Sequence, residues 1–419
     1  MENDPQSDLK YLKYGNKSEK KTLHQNIEEH SLSLRKKKNN RQREYLLPPE
    51  LLSDFSYKIN ILEIEQKISN DKLYLQYKNS TNEKDSLGFL FQMLLSDNDD
   101  IMKFGIAKIR DFLVNTEINV FFEKKYEEEF SDKLIKFLFD LMFKKSNDML
   151  FLSNICFIIN KILVIFTNKI ENTNNYFQIL FEYFNSLLNL AKNISIEEPK
   201  IKNILYILSN KIFSSSNDII IQLEKLYPNY IIQIHSEMNL LDENKFVKNM
   251  PLISTLIQII NNCFYHRIYA NYFFGTTLNN NSDEIMAENI LKFIQKLLNY
   301  SYQMEIFEQE LRCIQNFMYY FMENDELFQN KILKKKVRDV IYNLDLERKV
   351  IPLIYDNTIN NHDIRRIAIQ ILINAMYICP KKFCEILMEN GIAEQISKLE
   401  KINNNAIKED NFENHFIDS

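Results

Sequence analysis

Residues that interrupt helices are scarce along this chain, and this scarcity restricts the possible folds more than any other feature of the sequence. Only five glycines and eight prolines are spread over 419 residues, while 45% of the side chains are hydrophobic and can supply a large core. Sandwiches, barrels and doubly wound folds need glycine at strand ends, tight turns and phosphate-binding loops. We therefore predict an all-α fold.

A recurring pattern indicates repeats within that fold class. Five apolar helical stretches each carry an asparagine followed by another apolar stretch, at spacings of 50, 51, 55 and 58 residues: Asn160, Asn210, Asn261, Asn316 and Asn374. At the third site the adjacent Asn262 is an alternative. Armadillo and HEAT solenoids repeat every 40–47 residues or so, and loop insertions account for the longer spacing. The pattern therefore predicts an α-solenoid, a superhelix of stacked helical repeats.

Charge is divided unevenly along the chain. Between residues 9 and 43, eleven lysines and arginines against three glutamates give a formal charge of +8; since the whole chain carries −5, the remainder carries −13. Such a segment binds nucleic acid, an anionic membrane or an acidic protein surface, and the sign alone does not choose among them. An acidic body is repelled from DNA, which disfavours direct nucleic-acid binding.

The sequence contains few groups suited to catalysis or metal binding. Its six scattered histidines form no His-x-x-x-His pair, and it has neither a Gly-x-Ser-x-Gly elbow nor a phosphate-binding glycine loop. Its five cysteines lie mostly in apolar helical patterns, so we interpret them as reduced core residues of an intracellular protein. The most apolar window, residues 149–166, contains two asparagines and a lysine and is interpreted as a buried helix. We predict no enzymatic activity, cofactor, metal site or membrane insertion.

The basic segment resembles the importin-β-binding arm of importin-α (karyopherin-α) proteins. In that family a leucine precedes an Arg-Lys run and further basic residues. The matching residues, which the resemblance implies bind importin-β, are Leu34, Arg35, Lys36, Lys37, Lys38, Arg41 and Arg43. The earlier half of the arm offers Lys20, Lys21 and His24 where the family has a run of arginines. The resemblance implies a binding arm at residues 1–52, a linker at 53–83, about seven armadillo repeats at 84–400, and a polar acidic tail at 401–419.

The repeats resemble the armadillo repeats of the same family, in which a Trp-x-x-x-Asn pattern faces the concave groove. The asparagines match, but the chain has no tryptophan, and the residues four places earlier are Cys156, Tyr206, Ile257, Arg312 and Gln370. The resemblance implies that asparagine amides bond to the backbone of an extended basic peptide, with Tyr206 replacing one tryptophan wall and Arg312 matching an arginine in one central family repeat. The implied peptide-binding residues are Asn160, Tyr206, Asn210, Asn261, Arg312, Asn316 and Asn374.

Together these resemblances imply a nuclear import adaptor that couples basic nuclear localisation signals to importin-β, moves between cytoplasm and nucleus, and folds its arm into an acidic groove when no cargo is bound. Two alternatives remain open. One is a diverged armadillo scaffold without classical signal recognition, and the other is a regulator that competes for importin-β through the arm alone. Taken singly, each asparagine also fits a solvated or capping residue, and the basic run fits a solvated tail.

Overall fold

A computed structural model describes residues 59–81, 83–115, 132–167, 173–215, 217–241, 246–264, 266–275, 286–298, 304–355 and 362–389. The arm and the acidic tail lie outside these residues. Within these ranges every regular element is a helix and no strand occurs. The all-α prediction is confirmed.

The chain divides into two compact units, residues 1–180 and 181–419. The N-terminal unit contains α1 (Ile61–Lys67), α2 (Lys72–Asn79), α3 (Glu83–Leu94), α4 (Asp99–Asn115), α5 (Asp132–Lys144) and α6 (Met149–Thr167). The division falls within α7 (Thr173–Asn193).

The C-terminal unit begins within α7. Its further helices are α8 (Pro199–Asn210), α9 (Asn217–Leu226), α10 (Tyr230–Asn239), α11 (Phe246–Cys263), α12 (Arg267–Phe273), α13 (Met286–Leu297), α14 (Met304–Glu323), α15 (Asp325–Gln329), α16 (Lys331–Asn343), α17 (Leu346–Lys349), α18 (Ile351–Tyr355), α19 (His362–Ile378) and α20 (Pro380–Glu389). A 3₁₀ helix, Lys211–Ser214, follows α8 directly.

Short polar side chains fix several helix starts. Asp71, Asn324 and Asn330 each accept hydrogen bonds from one or two backbone N–H groups of the following turn, at 2.8–3.2 Å. These bonds satisfy donors that the first turn of a helix leaves without an intrahelical partner. Pro199 opens α8, where its missing N–H removes no helical bond.

The N-terminal unit begins with two short helices that pack on longer ones, α1 on α4 and α2 on α3. Ile64 and Ile68 beside α4 are buried, and so is Tyr74 of α2, whose ring meets Phe104 edge to face at 5.3 Å between centroids. Further along, α4 packs on α3 and α6, and α5 packs on α6. The segment interpreted from sequence as a linker, residues 53–83, thus contributes two helices to the core of this unit.

The C-terminal unit contains two series of neighbouring helices. In the first, α8 packs on α11, α11 on α14 and α14 on α19; we call these four helices the asparagine row, because each carries one of the recurring asparagines. In the second, the flanking row, α10 packs on α13 and α13 on α16. Each flanking helix also packs on a helix of the asparagine row: α10 on α11, α13 on α14, and α16 on α19. These seven helices therefore form two adjoining rows.

Apolar side chains fill the interior of each unit. The four cysteines whose side chains are described are free and buried: Cys156, Cys263, Cys313 and Cys379. Burial raises the pKa of the Cys379 thiol to about 11. None of the described helices combines the length and the apolar character that crossing a membrane requires.

Candidate functional site

The recurring asparagines all lie on helices, in the second half of each. Asn210 is the last residue of α8, Asn261 lies in the last turn of α11, and Asn374 lies in the last turn or so of α19. Asn316 lies in the second half of α14, and Asn160 lies in α6 of the N-terminal unit. Because α8, α11, α14 and α19 pack in that order, four of these five asparagines stand on successive neighbouring helices.

Amide side chains connect the neighbouring helices of the asparagine row. Asn262 donates from Nδ2 to Asn210 Oδ1 at 2.8 Å, which links α11 to α8. Asn316 donates from Nδ2 to Asn261 Oδ1 at 3.2 Å, which links α14 to α11. The two candidates at the third site therefore both belong to the pattern: Asn262 bonds to the preceding helix of the row, and Asn261 bonds to the following one.

Glutamines extend these contacts, and the sequence analysis missed two of them. Asn210 Nδ2 donates to Gln258 Oε1 at 3.4 Å. Asn261 Nδ2 lies 3.0 Å from the Gln309 carbonyl oxygen and 3.3 Å from its Oε1. Within α19, Gln370 Nε2 donates to Asn374 Oδ1 at 3.0 Å. Gln258 precedes Asn262 by one helical turn, as Gln370 precedes Asn374, and this spacing is the sequence signal that could have identified Gln258.

The amides differ in their access to solvent. Asn160, Asn261 and Asn374 are buried, whereas Asn210 and Asn316 are half-buried. Within the described residues, neither amide atom of Asn160 has a hydrogen-bond partner. In this conformation the half-buried amides are the ones that a ligand can reach.

The positions four residues before each asparagine also divide by burial. Cys156, Tyr206 and Ile257 are fully buried, while Arg312 and Gln370 are half-buried. Burial, with the nearby Glu237 carboxylate, raises the pKa of the Tyr206 hydroxyl far above its usual value. Its ring therefore presents no face to a ligand in this conformation. Tyr206 lies in the core in this conformation, so its predicted role in place of a tryptophan wall stays a prediction and requires the side chain to move.

Arg312 lies on α14 and pairs with a carboxylate one turn earlier. Its Nε and Nη2 both lie 2.8 Å from Glu308 Oε1, and 24% of its side chain is exposed. This pairing offsets the arginine charge locally. Over the whole asparagine row, six lysines and arginines stand against five aspartates and glutamates. These four helices alone do not form an acidic surface.

A buried ion pair joins the asparagine row to the flanking row and was not foreseen from sequence. Lys202 Nζ of α8 lies 2.9 Å from Glu237 Oε2 of α10 and donates to the Ile194 carbonyl at 3.0 Å. The two side chains are only 2% and 4% exposed. Such a pair persists because each charge compensates the other away from water.

The arm residues predicted to bind importin-β, from Leu34 to Arg43, lie outside the described residues. In the part of the chain that is described, no group of three or more histidine, cysteine, aspartate or glutamate side chains could hold a metal ion.

Comparison of the chain with models of known protein families gives no matching family, and comparison with curated proteins gives no match. The resemblance to importin-α therefore stays a prediction.

Proposed function

We propose that this chain is an importin-α-like nuclear import adaptor. Residues 84–400 form an armadillo-type solenoid that binds basic nuclear localisation signals, and the N-terminal arm binds importin-β. The protein works in both cytoplasm and nucleus, and its mechanism is binding without covalent chemistry. Basic cargo and the basic arm reach their acidic partners with the help of charge attraction.

The observation that carries this proposal is the stacking of α8, α11, α14 and α19, each with a recurring asparagine in its second half. The parallel series of α10, α13 and α16 supports a solenoid, in which each repeat contacts chiefly its neighbours. An asparagine offers both a donor and an acceptor, and a series of them can hold an extended peptide in register without reading its side chains. The half-buried Asn210 and Asn316 are the best placed for this role.

A specific observation favours the second candidate, a diverged scaffold that has lost classical signal recognition. The amides of Asn210, Asn261 and Asn316 bond to side chains of neighbouring helices, so a peptide has to displace those bonds. The chain also lacks tryptophan, which removes a contribution of about 0.5–2 kcal/mol for each lysine stem held between indole rings.

The arm is tested by importin-β binding to the full-length chain. Replacing Arg35, Lys36, Lys37 and Lys38 by alanine should weaken that binding by about tenfold or more and reduce its salt dependence, because a basic arm on an acidic partner is held largely by charge. The matched control replaces Lys10, Lys13, Lys17 and Lys58 by alanine, which removes the same charge outside the residues that match the family. Importin-β affinity that is equal in both variants would contradict the proposed arm.

The asparagine row is tested by titrating a lysine-rich signal peptide into the full-length chain with the four arm residues replaced, so that the arm does not compete. Asn210→Ala and Asn316→Ala should each cost about 1–2 kcal/mol of peptide affinity. Asn239→Ala, an exposed position on the flanking helix α10, is the control and should have no effect. If the peptide binds tightly and neither row substitution weakens the binding, the peptide binds elsewhere. If no peptide binds, the diverged scaffold without signal recognition is favoured.

A further inference from the structure

The flanking helix α16 carries a dense basic face. Lys331, Lys334, Lys335, Lys336 and Arg338 fall within eight residues that contain no acidic side chain. On a helix, like charges three and four residues apart lie side by side and repel each other. Asp339, the one carboxylate of α16, forms no ion pair with Lys331, Lys334 or Lys335, so this charge density favours an anionic partner from outside the helix.

Three of these lysines lack such a partner within the described ranges. Lys331 and Lys335 are exposed, and Lys334 is half-buried, with Nζ 3.6 Å from the centroid of the Phe328 ring. No ion pair joins any of the three to a described carboxylate. Burial and the neighbouring Arg338 lower the pKa of Lys334. Beside them Ile332 is 73% exposed, so the face combines unpaired positive charge with an apolar side chain.

The end of the sequence has the complementary chemistry. Residues 409–418, EDNFENHFID, contain four carboxylates and neither lysine nor arginine. The same ten residues include Phe412, Phe416 and Ile417, apolar side chains suited to an exposed isoleucine. The negative charges and apolar side chains of this segment are therefore complementary to the three unpaired lysines and to Ile332 on α16.

The last described helix, α20, contacts the carboxyl end of α16. Helix α20, the last described element, packs on α19, as α16 does. Lys382 of α20 lies with Nζ 5.1 Å from the centroid of the Tyr342 ring in α16. Twenty residues separate Glu389, where α20 ends, from Glu409, and at roughly 3.3 Å per residue they can span about 66 Å, whereas α16 is only about 20 Å long.

We propose that the acidic segment Glu409–Asp418 binds intramolecularly to the basic face of α16, with its carboxylates on Lys331, Lys334 and Lys335. The short tether raises the effective concentration of the segment at α16, which favours this surface over the basic arm at the opposite end of the sequence. This contact is independent of cargo and importin-β binding.

Carbodiimide coupling of the full-length chain tests the contact, because this reagent joins a carboxylate to a lysine amine only when the two meet. Mass spectrometry should find links from Glu409, Asp410 or Glu413 to the three α16 lysines. Their yield should fall by about fivefold or more between 0.05 M and 1 M salt. The Lys382–Glu347 pair, with 2.7 Å between Nζ and Oε1, supplies an internal positive control in the same digest.

Charge reversal separates this pairing from unspecific attraction. Replacing Lys331, Lys334 and Lys335 by glutamate should abolish the links, and reversing Glu409, Asp410 and Glu413 to lysine in the same chain should restore coupling between the two segments. The matched control reverses three exposed lysines of α5, Lys133, Lys136 and Lys144, and should leave the links unchanged. Links that run mainly to Lys36, Lys37 and Lys38, or the absence of tail links while the Lys382–Glu347 link forms, would overturn the proposal.

Discussion

The charge state of a single buried polar residue in this molecule depends on its immediate surroundings. His266, immediately before α12, stacks on the Phe213 ring at 5.4 Å between centroids, and Glu224 Oε1 lies 3.9 Å from its Nδ1, beyond hydrogen-bond distance. Burial lowers the pKa of His266 from 6.5 to about 4. The ring is therefore neutral in the folded protein at pH values where an unfolded chain already protonates its histidines.

This difference predicts acid sensitivity. Between about pH 6.5 and pH 4 the unfolded chain binds a proton at residue 266 that the folded chain does not, so the free energy of unfolding should fall by up to about 1.4 kcal/mol for each pH unit of acidification. His266→Phe keeps an aromatic ring against Phe213 and removes the titrating group. Urea unfolding of both proteins at pH 7.5, 6.0 and 5.0 measures the contribution. Equal pH slopes for the variant and the native protein would contradict it.

Pairs of helices are held together by polar contacts as well as by apolar packing. Asn316 and Asn261 join α14 to α11 through one amide hydrogen bond, and Lys202 and Glu237 join α8 to α10 through a buried ion pair. If one partner is removed, the other amide or charge stays buried without its hydrogen bond, which costs free energy. Each contact therefore favours the arrangement of its two helices in which both partners meet.

The helix-to-helix bond can be measured by a double-mutant cycle. Asn261→Ala should destabilise the fold by about 1–3 kcal/mol, because it removes a buried amide that bonds to both Asn316 and Gln309. Combined with Asn316→Ala, the loss should be less than additive by about 0.5–1.5 kcal/mol. The control cycle pairs Asn261→Ala with Asn374→Ala on α19, which shares no bond with it, and should be additive. An additive Asn261–Asn316 cycle would show that the bond does not contribute.

The local sequence pattern predicted the helices themselves better than it predicted which side chains meet between them. The scarcity of glycine and proline and the apolar periodicity were sufficient to predict helices that carry the asparagines at matching places. They could not predict that Asn262 bonds to Asn210, since the two are 52 residues apart and their meeting depends on how α11 packs on α8. The pairing of Lys202 with Glu237 could not be predicted either, because a charged residue on a helix is predicted to be exposed unless its partner is known. The polar sequences of α1 and α2 concealed two short helices, each of which buries one side chain, Ile64 in α1 and Tyr74 in α2.

On the scale of the whole molecule, concentrated charge and repeated helix packing lie in different parts of the chain. The +8 arm and the acidic segment after residue 408 carry concentrated charge, whereas the asparagine row is close to neutral. Each helix of that row packs chiefly on its neighbours, so its stability comes from successive local interfaces. The attraction expected between the arm and the body therefore has to come largely from acidic residues outside the four row helices.

Truncation tests how α1 and α2 stabilise the N-terminal unit. A chain that begins at residue 59 keeps α1 and α2, whereas one that begins at residue 81 loses Ile64, Ile68 and Tyr74 and uncovers the Phe104 ring of α4. We expect the shorter chain to lose roughly 3 kcal/mol or more of stability in the N-terminal unit, since each buried side chain of this size contributes about 1.5–3 kcal/mol. Hydrogen exchange of the α4 amides should accelerate in the chain starting at 81 and stay unchanged in the chain starting at 59. Helix α14 of the C-terminal unit is the internal control, and equal α4 protection in both chains would mean that α1 and α2 do not stabilise the unit they cover.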